Sequence, residues 1–166
     1  YDTYSPKLFA ICLRYAKGKA DAEDIFQEAF IMLFYSLDKY EYKGSFEGWL
    51  RKFFINFAIN YYNRKENRRR SMVDITEDYG MKDENGEVEM NFNFYEKEEI
   101  IKAIESLNDK ERMIVNLVEI EGYSYEEVEQ ELNMNNSTIR SLNYRAKKHL
   151  KEYFDKKQEK ERKILI

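Results

Sequence analysis

Apolar positions recur at helical intervals along most of this chain, and the places where the recurrence stops divide it into segments. Leu8, Phe9, Cys12, Leu13 and Ala16 mark a first helix, with Ser5 as its cap, Pro6 in its first turn and a stop near Gly18. Asp21 is placed to cap a second helix over 21–37, in which Ile25, Phe26, Ala29, Phe30, Leu33, Phe34 and Leu37 repeat at steps of three, four and one. Residues 38–45 break the pattern around Gly44. Ser45 then caps a helix over 46–64, where Phe46, Trp49, Leu50, Phe53, Phe54, Phe57, Ala58, Tyr61 and Tyr62 form an aromatic face predicted to be core. Its opposite face carries Lys52, Asn56, Asn60 and Asn63.

The periodicity disappears over 71–96, where acidic and turn-forming residues predominate. A flexible linker is expected there, although Met90, Phe92, Phe94 and Tyr95 are apolar enough to place part of it on a domain surface. Ile100, Ile101, Ile104 and Leu107 restore the helical pattern. Asn108 with Glu111 reads as a capping box for a helix bearing Met113, Ile114, Leu117 and Val118, ended by Gly122. Ser124 with Glu127 is a second box, opening a short helix with Val128 and Leu132. Residues 133–136 form a tight turn before a last helix, which begins near Ser137 and turns Ile139, Leu142, Ala146, Leu150 and Tyr153 inward. The expected fold is all-α: two small helical domains, 1–70 and 97–155, joined by an acidic linker over 71–96 and followed by a charged tail over 156–166.

Composition agrees with that reading and removes several kinds of chemistry. With 166 residues, 43% of them apolar, the chain is long enough to bury a core without covalent staples. Its 14 Tyr and 11 Phe, against 6 Gly and 1 Pro, favour bulky helical packing. Cys12 has no partner for an internal disulfide, and with His149 the only histidine, the usual zinc ligands are too few. Neither a metal nor a cofactor is expected. No apolar run approaches the roughly 20 residues of a spanning helix, and no export signal opens the chain. A soluble protein in the reduced cytoplasm is expected. The chain opens on Tyr1 rather than Met, so further residues are expected before it.

The net charge of −4 conceals an alternation. Residues 1–70 hold 13 Lys and Arg against 9 Asp and Glu, giving +4; residues 71–99 hold 2 against 10, giving −8. Residues 100–131 hold 3 against 9, giving −6, and residues 132–166 hold 10 against 4, giving +6. Two basic segments separated by an acidic one suit two contacts on one polyanion, and equally suit an acidic linker between ordinary domains.

Four groups of residues carry candidate chemistry. Tyr40, Tyr42 and Lys43 share a loop, where aromatic rings beside a lysine stack bases and hold phosphate, each stack being worth about 1–3 kcal/mol; tyrosines folded over the core are the plainer reading. The carboxamides Asn56 and Asn60 on the polar face both donate and accept, as base edges require, and the run Arg64, Lys65, Arg68, Arg69 and Arg70 follows them. Glu23, Asp24, Gln27 and Glu28 cluster near the start of the second helix, where the helix dipole favours acid. Finally, a short helix, a tight turn and a longer basic helix make a helix-turn-helix, with Thr138, Arg140, Ser141, Tyr144, Arg145 and Lys148 expected to face outward. No phosphate loop or nucleophile with a plausible base accompanies them, so an enzyme is not expected.

On these motifs the chain resembles the small two-domain sigma factors of bacterial RNA polymerase, the extracytoplasmic-function group of the sigma-70 family. DAEDIFQEAFIMLF, GSFEGWL and INFAINYYNRK follow the family's second conserved region in order and spacing, and SLNDKERMIVNLVEIEGYSYEEVEQELNMNNSTIRSLNYRAKKHL is similar to its fourth. The resemblance spans nearly all of residues 5–152. It implies that the protein joins core RNA polymerase and directs it to promoter DNA. Asp24, Gln27 and Glu28 are implied at the contact with the polymerase clamp helices. Tyr40, Tyr42, Lys43, Lys52, Asn56, Asn60 and Arg64 are implied at the minus-ten element, read as an unpaired strand with one base held in the loop. Thr138, Arg140, Ser141, Tyr144, Arg145 and Lys148 are implied at the minus-thirty-five duplex. An anti-sigma factor as a further partner is implied by the family alone.

Three departures from the family pattern stand in the second domain. Glu129 stands where a small residue usually meets the second helix of the motif, Asn133 stands at the usual turn glycine, and Leu142 with Asn143 replaces a basic-then-apolar pair. Asn tolerates a left-handed backbone, so the turn is expected to survive, whereas Glu129 must turn outward or find a partner. The alternatives are a stand-alone helix-turn-helix regulator of duplex DNA, which leaves the first domain's polar stripe unused, and a helical adaptor that binds protein alone.

Overall fold

The structure, a computed structural model, describes residues 3–72 and 88–164, and every regular element among them is helical. The chain forms two compact units, divided between Asp78 and Tyr79. Most of the acidic stretch in which a flexible linker is expected, 73–87, lies outside the described residues.

In the first unit, α1 (Ser5–Tyr15), α2 (Lys19–Phe34) and α3 (Phe46–Met72) pack pairwise around Leu8, Ile11, Cys12, Ala22, Ile25, Ala29, Leu33, Leu50, Phe54, Ile55, Ala58 and Ile59. Alanines at 22, 29 and 58 let the helix backbones approach, and Phe26 and Phe30 of α2 meet Phe54 of α3 with ring centroids 5.8 and 5.5 Å apart. Burial pushes the Cys12 thiol up to about 12.

Several expected boundaries move. Ser5 is the first helical residue rather than the cap; Tyr4 holds the N-cap position without a side-chain bond, and Pro6 lies in the first turn, where its missing N–H costs nothing. α1 ends at Tyr15, and Gly18, at φ 132°, turns the chain directly into α2, which starts two residues before Asp21. Asp21 is nevertheless used: its carboxylate accepts from the Lys17 backbone N–H at 3.0 Å and from the Tyr61 hydroxyl at 3.2 Å, fastening α3 to the start of α2. α2 stops at Phe34, and Leu37 opens a separate 3₁₀ turn. Ser45 caps α3 as expected, its Oγ accepting from Gly48 N–H at 3.0 Å. α3 runs on to Met72, carrying the whole basic run on helix.

The second unit begins before residue 97. Met90, Phe92 and Tyr95 pack against a core of Ala103, Ile104, Leu107, Val115, Ala146, Leu150 and Phe154, and the Tyr95 ring stacks on Phe154 at 3.7 Å. This segment therefore joins the domain rather than the linker, whereas Phe94 stays exposed. Its helices are α4 (Lys97–Glu105), α5 (Asp109–Val115), α6 (Tyr125–Leu132) and α7 (Asn136–Ile164); a π-helical turn, Asn116–Ile120, continues α5. α7 is helical through most of the residues expected as a tail, and it buries Phe154 rather than Tyr153.

Capping explains the junctions. Ser124 and Glu127 form both bonds of their box. Only half of the Asn108 box forms: Asn108 Oδ1 accepts from Glu111 N–H at 2.9 Å, but the buried Glu111 carboxylate meets His149 Nδ1 at 3.1 Å instead of returning to the cap. Asn133 adopts φ 48°, ψ 50°, the left-handed conformation its side chain tolerates. Asn135 Oδ1 accepts from Ser137 N–H at 2.8 Å at the start of α7. Buried Arg112 donates to the carbonyls of Ile104, Glu105 and Leu107, closing the end of α4.

Candidate nucleic-acid and polymerase-docking surfaces

On α3 the core is centred further round the helix than the aromatic spacing predicts. Ile55 and Ile59 are buried beside Leu50, Phe54 and Ala58, while Phe46, Trp49, Phe53, Phe57 and Tyr61 are only half-buried. The difference has a simple cause: Ile55 and Ile59 adjoin Phe54 and Ala58, so the interior arc is aliphatic on one side and aromatic on the other. Lys52, Asn56 and Asn60 are exposed as expected, and Asn63 is half-buried. Trp49 precedes Asn56, and Phe53 precedes Asn60, by seven residues, which is two helical turns. Each carboxamide thus shares a side of α3 with a partly exposed ring.

Aromatic contacts extend this surface into the loop. Tyr40 packs on Phe46 and Trp49 with ring centroids 5.2 and 5.3 Å away, and its hydroxyl donates to the Gly44 carbonyl at 3.0 Å. The plainer reading thus holds for Tyr40, which folds onto the core edge. It fails for Tyr42, which is 87% exposed and held at φ 56°. A left-handed backbone is unfavourable for a bulky residue, at a cost on the order of 1 kcal/mol. The Tyr42 ring lies 4.9 Å from that of Tyr40. Lys43 pairs with Glu41 at 2.6 Å, an exposed and exchangeable contact.

Asp24, Gln27 and Glu28 are all exposed on α2, and they are accompanied by two exposed apolar residues: Phe34, which belongs to the apolar repeat, and Ile31, which lies outside it. Phe34 is 69% exposed and Ile31 is 58% exposed. With Glu23, Phe26, Gln27 and Phe30 they line one shallow groove along the helix. The apolar repeat of α2 is wide enough for two surfaces; Ala22, Ile25, Ala29 and Leu33 take the core side and leave Ile31 and Phe34 outside. Arg64 reaches from α3 to Glu28, with Nη2 3.3 Å from Oε2, and lies over the Phe57 and Tyr61 rings.

In the second unit α6, the turn at Asn133 and α7 have the helix-turn-helix arrangement. Arg140 and Lys148 are exposed, and Thr138, Tyr144 and Arg145 are half-buried. Ser141 is corrected: only 2% exposed, it sits at the base of the helix face on which Tyr144, Arg145 and Lys148 follow at three, four and seven residues. Asn143 is also buried, and its Nδ2 donates to Glu119 Oε1 at 2.7 Å and to the Tyr125 hydroxyl at 3.1 Å. Lys147 pairs with the same Glu119 carboxylate at 3.2 Å. The Asn143 departure thus has a structural use, tying α7 to the π-helical turn and to α6. Glu129 turns outward, where its carboxylate accepts weakly from Asn136 Nδ2 at 3.5 Å.

Among the described residues no cluster of His, Cys, Asp and Glu is arranged to hold a metal ion, and no helix is long and apolar enough to cross a membrane.

Comparison with known proteins assigns both units. Residues 1–69 match the family model for sigma-70 region 2, and residues 97–150 match that for sigma-70 region 4. An extracytoplasmic-function RNA polymerase sigma factor, SigE of Mycolicibacterium smegmatis, is 31% identical over 156 residues, covering 92% of this chain and 59% of that protein. The extracytoplasmic-function RNA polymerase sigma-E factor of Escherichia coli is 31% identical over 152 residues, covering 87% of this chain and 78% of its own length. Among solved structures, the sigma factor RpoE of Bartonella quintana, determined in complex with the anti-sigma factor NepR, shares the fold with a TM-score of 0.54 at 20% identity, covering 92% of each chain.

Proposed function

This chain belongs to the extracytoplasmic-function sigma factors, the transcription initiation factors that bind core RNA polymerase and promoter DNA, and from that premise we propose how its own residues divide the work. The first unit holds polymerase with α2 and captures an unpaired minus-ten base between the 38–45 loop and α3. The second places α7 in the duplex at the minus-thirty-five element. A stand-alone regulator of duplex DNA is not favoured, because it gives the region 2 unit nothing to do. The protein works in the cytoplasm, where core polymerase is, and it performs no catalysis of its own.

The observation that carries the minus-ten assignment is the side-by-side placement of rings and carboxamides on α3. Trp49 and Phe53 offer half-buried rings, and Asn56 and Asn60 offer donors and acceptors two turns along the same sides. Tyr42, exposed on a strained backbone, stands at the open end next to Tyr40. A ring stacks on any base, whereas a carboxamide discriminates among base edges; together they suit an unpaired base and serve no purpose on an intact duplex. Lys52 and the basic run on the last turns of α3 supply phosphate contacts without sequence preference.

On α2, Ile31 and Phe34 are proposed as the buried anchors of the polymerase contact, with Asp24 and Gln27 as its polar rim. Glu28 is at most a shared rim residue, since Arg64 already holds it. At the minus-thirty-five element Thr138, Arg140, Tyr144, Arg145 and Lys148 remain the proposed contacts, and Ser141 drops out because it is covered. Neither unit by itself presents a large basic surface, so tight promoter binding belongs to the holoenzyme, in which polymerase holds both contacts at a fixed separation. An anti-sigma factor, as found with the Bartonella relative, is a further proposed partner.

Run-off transcription with purified core polymerase tests the whole reading. The chain should start transcripts at its own promoter that core polymerase alone does not start. Tight, specific binding by the free protein at about 0.15 M salt, without polymerase-dependent initiation, would instead favour the stand-alone regulator.

A further inference from the structure

Arg140 is held differently from the other basic residues of α7. Its guanidinium lies over the Tyr125 ring of α6, with Cζ 4.3 Å from the ring centroid, and its Nε donates to Asn136 Oδ1 at 2.8 Å, one turn back on α7. Among the described residues its two terminal nitrogens make neither a hydrogen bond nor an ion pair, and the side chain is exposed. A free arginine side chain samples many rotamers, whereas this one is fixed on a flat surface and at one nitrogen, with the remaining donor pair left for an outside acceptor.

Tyr125 is itself fixed. Its hydroxyl accepts from Asn143 Nδ2 at 3.1 Å, and the same Nδ2 donates to Glu119 at 2.7 Å, so α6, the π-helical turn and α7 hold one another at this point. The chain of contacts runs from a buried carboxamide through a tyrosine ring to an exposed guanidinium. None of these partners except Arg140 belongs to the expected promoter contacts.

We propose that Tyr125 and Asn136 are positioning residues that set Arg140 to read a paired acceptor edge in the major groove, the O6 and N7 of a guanine. The inference rests on α7 being the duplex-reading helix. Two parallel N–H donors match that edge and no other base presents it, which makes bidentate arginine the commonest specific contact. Preorientation matters because the planar fork then loses little freedom on binding. A phosphate would accept the same two donors, and the difference between the two acceptors is measurable: a base contact makes binding depend on sequence, whereas a phosphate contact weakens all sequences alike.

The test is holoenzyme transcription on templates randomised across the minus-thirty-five element, for wild type and the variants Arg140→Ala, Tyr125→Leu, Tyr125→Phe and Asn136→Ala. Arg140→Ala should abolish a preference for guanine of about tenfold at one position. Tyr125→Leu should lose most of that same preference at that same position, with little further loss when combined with Arg140→Ala. Tyr125→Phe keeps the ring and should keep the preference. Asn136→Ala, which removes no buried group, should lose part of it, so the proposal stays open to refutation if Tyr125→Leu folds poorly. A loss with Arg140→Ala that is uniform across sequences would overturn the proposal in favour of a phosphate contact. A base preference that depends on Arg140 but survives Tyr125→Leu and Asn136→Ala would overturn the positioning roles alone. Unchanged output and preference with Arg140→Ala would overturn the assignment of Arg140 to the duplex-reading surface.

Discussion

Arg64 and Glu28 form an ion pair at 3.3 Å, which joins a residue expected at promoter DNA to one expected at polymerase. Both side chains are about half exposed, so water screens the pair and its worth is at most about 1 kcal/mol. A double-mutant cycle with Glu28→Gln and Arg64→Ala should therefore give a coupling below about 1 kcal/mol in denaturant unfolding. A coupling of 2 kcal/mol or more would make the pair a structural brace and remove both residues from the proposed contacts.

The exposed apolar residues of α2 give a cleaner test of docking. Phe34→Ala and Ile31→Ala remove side chains that contribute little to the core, so unfolding should shift by less than about 1 kcal/mol. Competition for core polymerase should show at least a tenfold loss of affinity for Phe34→Ala, as expected of a central anchor. Equal affinity of variant and wild type would leave that face without its proposed partner.

Arg112 tests the second unit from the inside. Its guanidinium is buried and satisfies three backbone carbonyls as well as Asp109 Oδ1 at 2.9 Å. Arg112→Leu takes this donor from the Glu105 and Leu107 carbonyls, while the Ile104 carbonyl keeps the Leu107 N–H at 3.1 Å, and a loss of about 3 kcal/mol is expected in the unfolding of this unit. Promoter preference in the surviving folded fraction should not change.

Cys12 provides a pH-dependent check on the first core. Because burial raises the folded thiol to about 12 while an unfolded one titrates near 9.0, the folded state retains the proton over that interval. The unfolded state ionises first, so stability attributable to this group falls as pH rises from about 9 and does not vary below it. Alkylation of native protein at pH 8 should be far slower than after unfolding, and the alkaline loss should be smaller in Cys12→Ala. Rapid labelling of the native thiol would contradict the packing of α1.

Much of this architecture is legible in the sequence because it rests on local signals. The Ser124 box, the left-handed Asn133 and the Ser45 cap are each fixed by side chains within four residues. What escapes is whatever depends on a distant partner. The repeat Phe26, Phe30, Phe34 looks continuous, yet the core accepts only one side of it, so the docking face is hidden inside an apparent core stripe. Ile55 and Ile59 are buried beside larger aromatics, because burial follows position round the helix rather than side-chain size. The burial of Arg112, Glu111 and Asn143 escapes because nothing in the neighbouring sequence announces the carbonyls, imidazole or carboxylate that receive them. A polar residue at an inward helical position was the only available cue. Ser141 differs in the opposite sense, since periodicity places it outward and the structure buries it.

The central claim is that Asn56 and Asn60, flanked by Trp49 and Phe53, read one unpaired minus-ten base. It is tested most directly by transcription from templates carrying each base in turn at every minus-ten position, with reconstituted holoenzyme bearing Asn56→Ala and Asn60→Ala together. Core-polymerase affinity should equal that of wild type, and preference at one position should fall by about tenfold or more while the other positions keep theirs. Unchanged preference at every minus-ten position, at equal polymerase affinity, would contradict it.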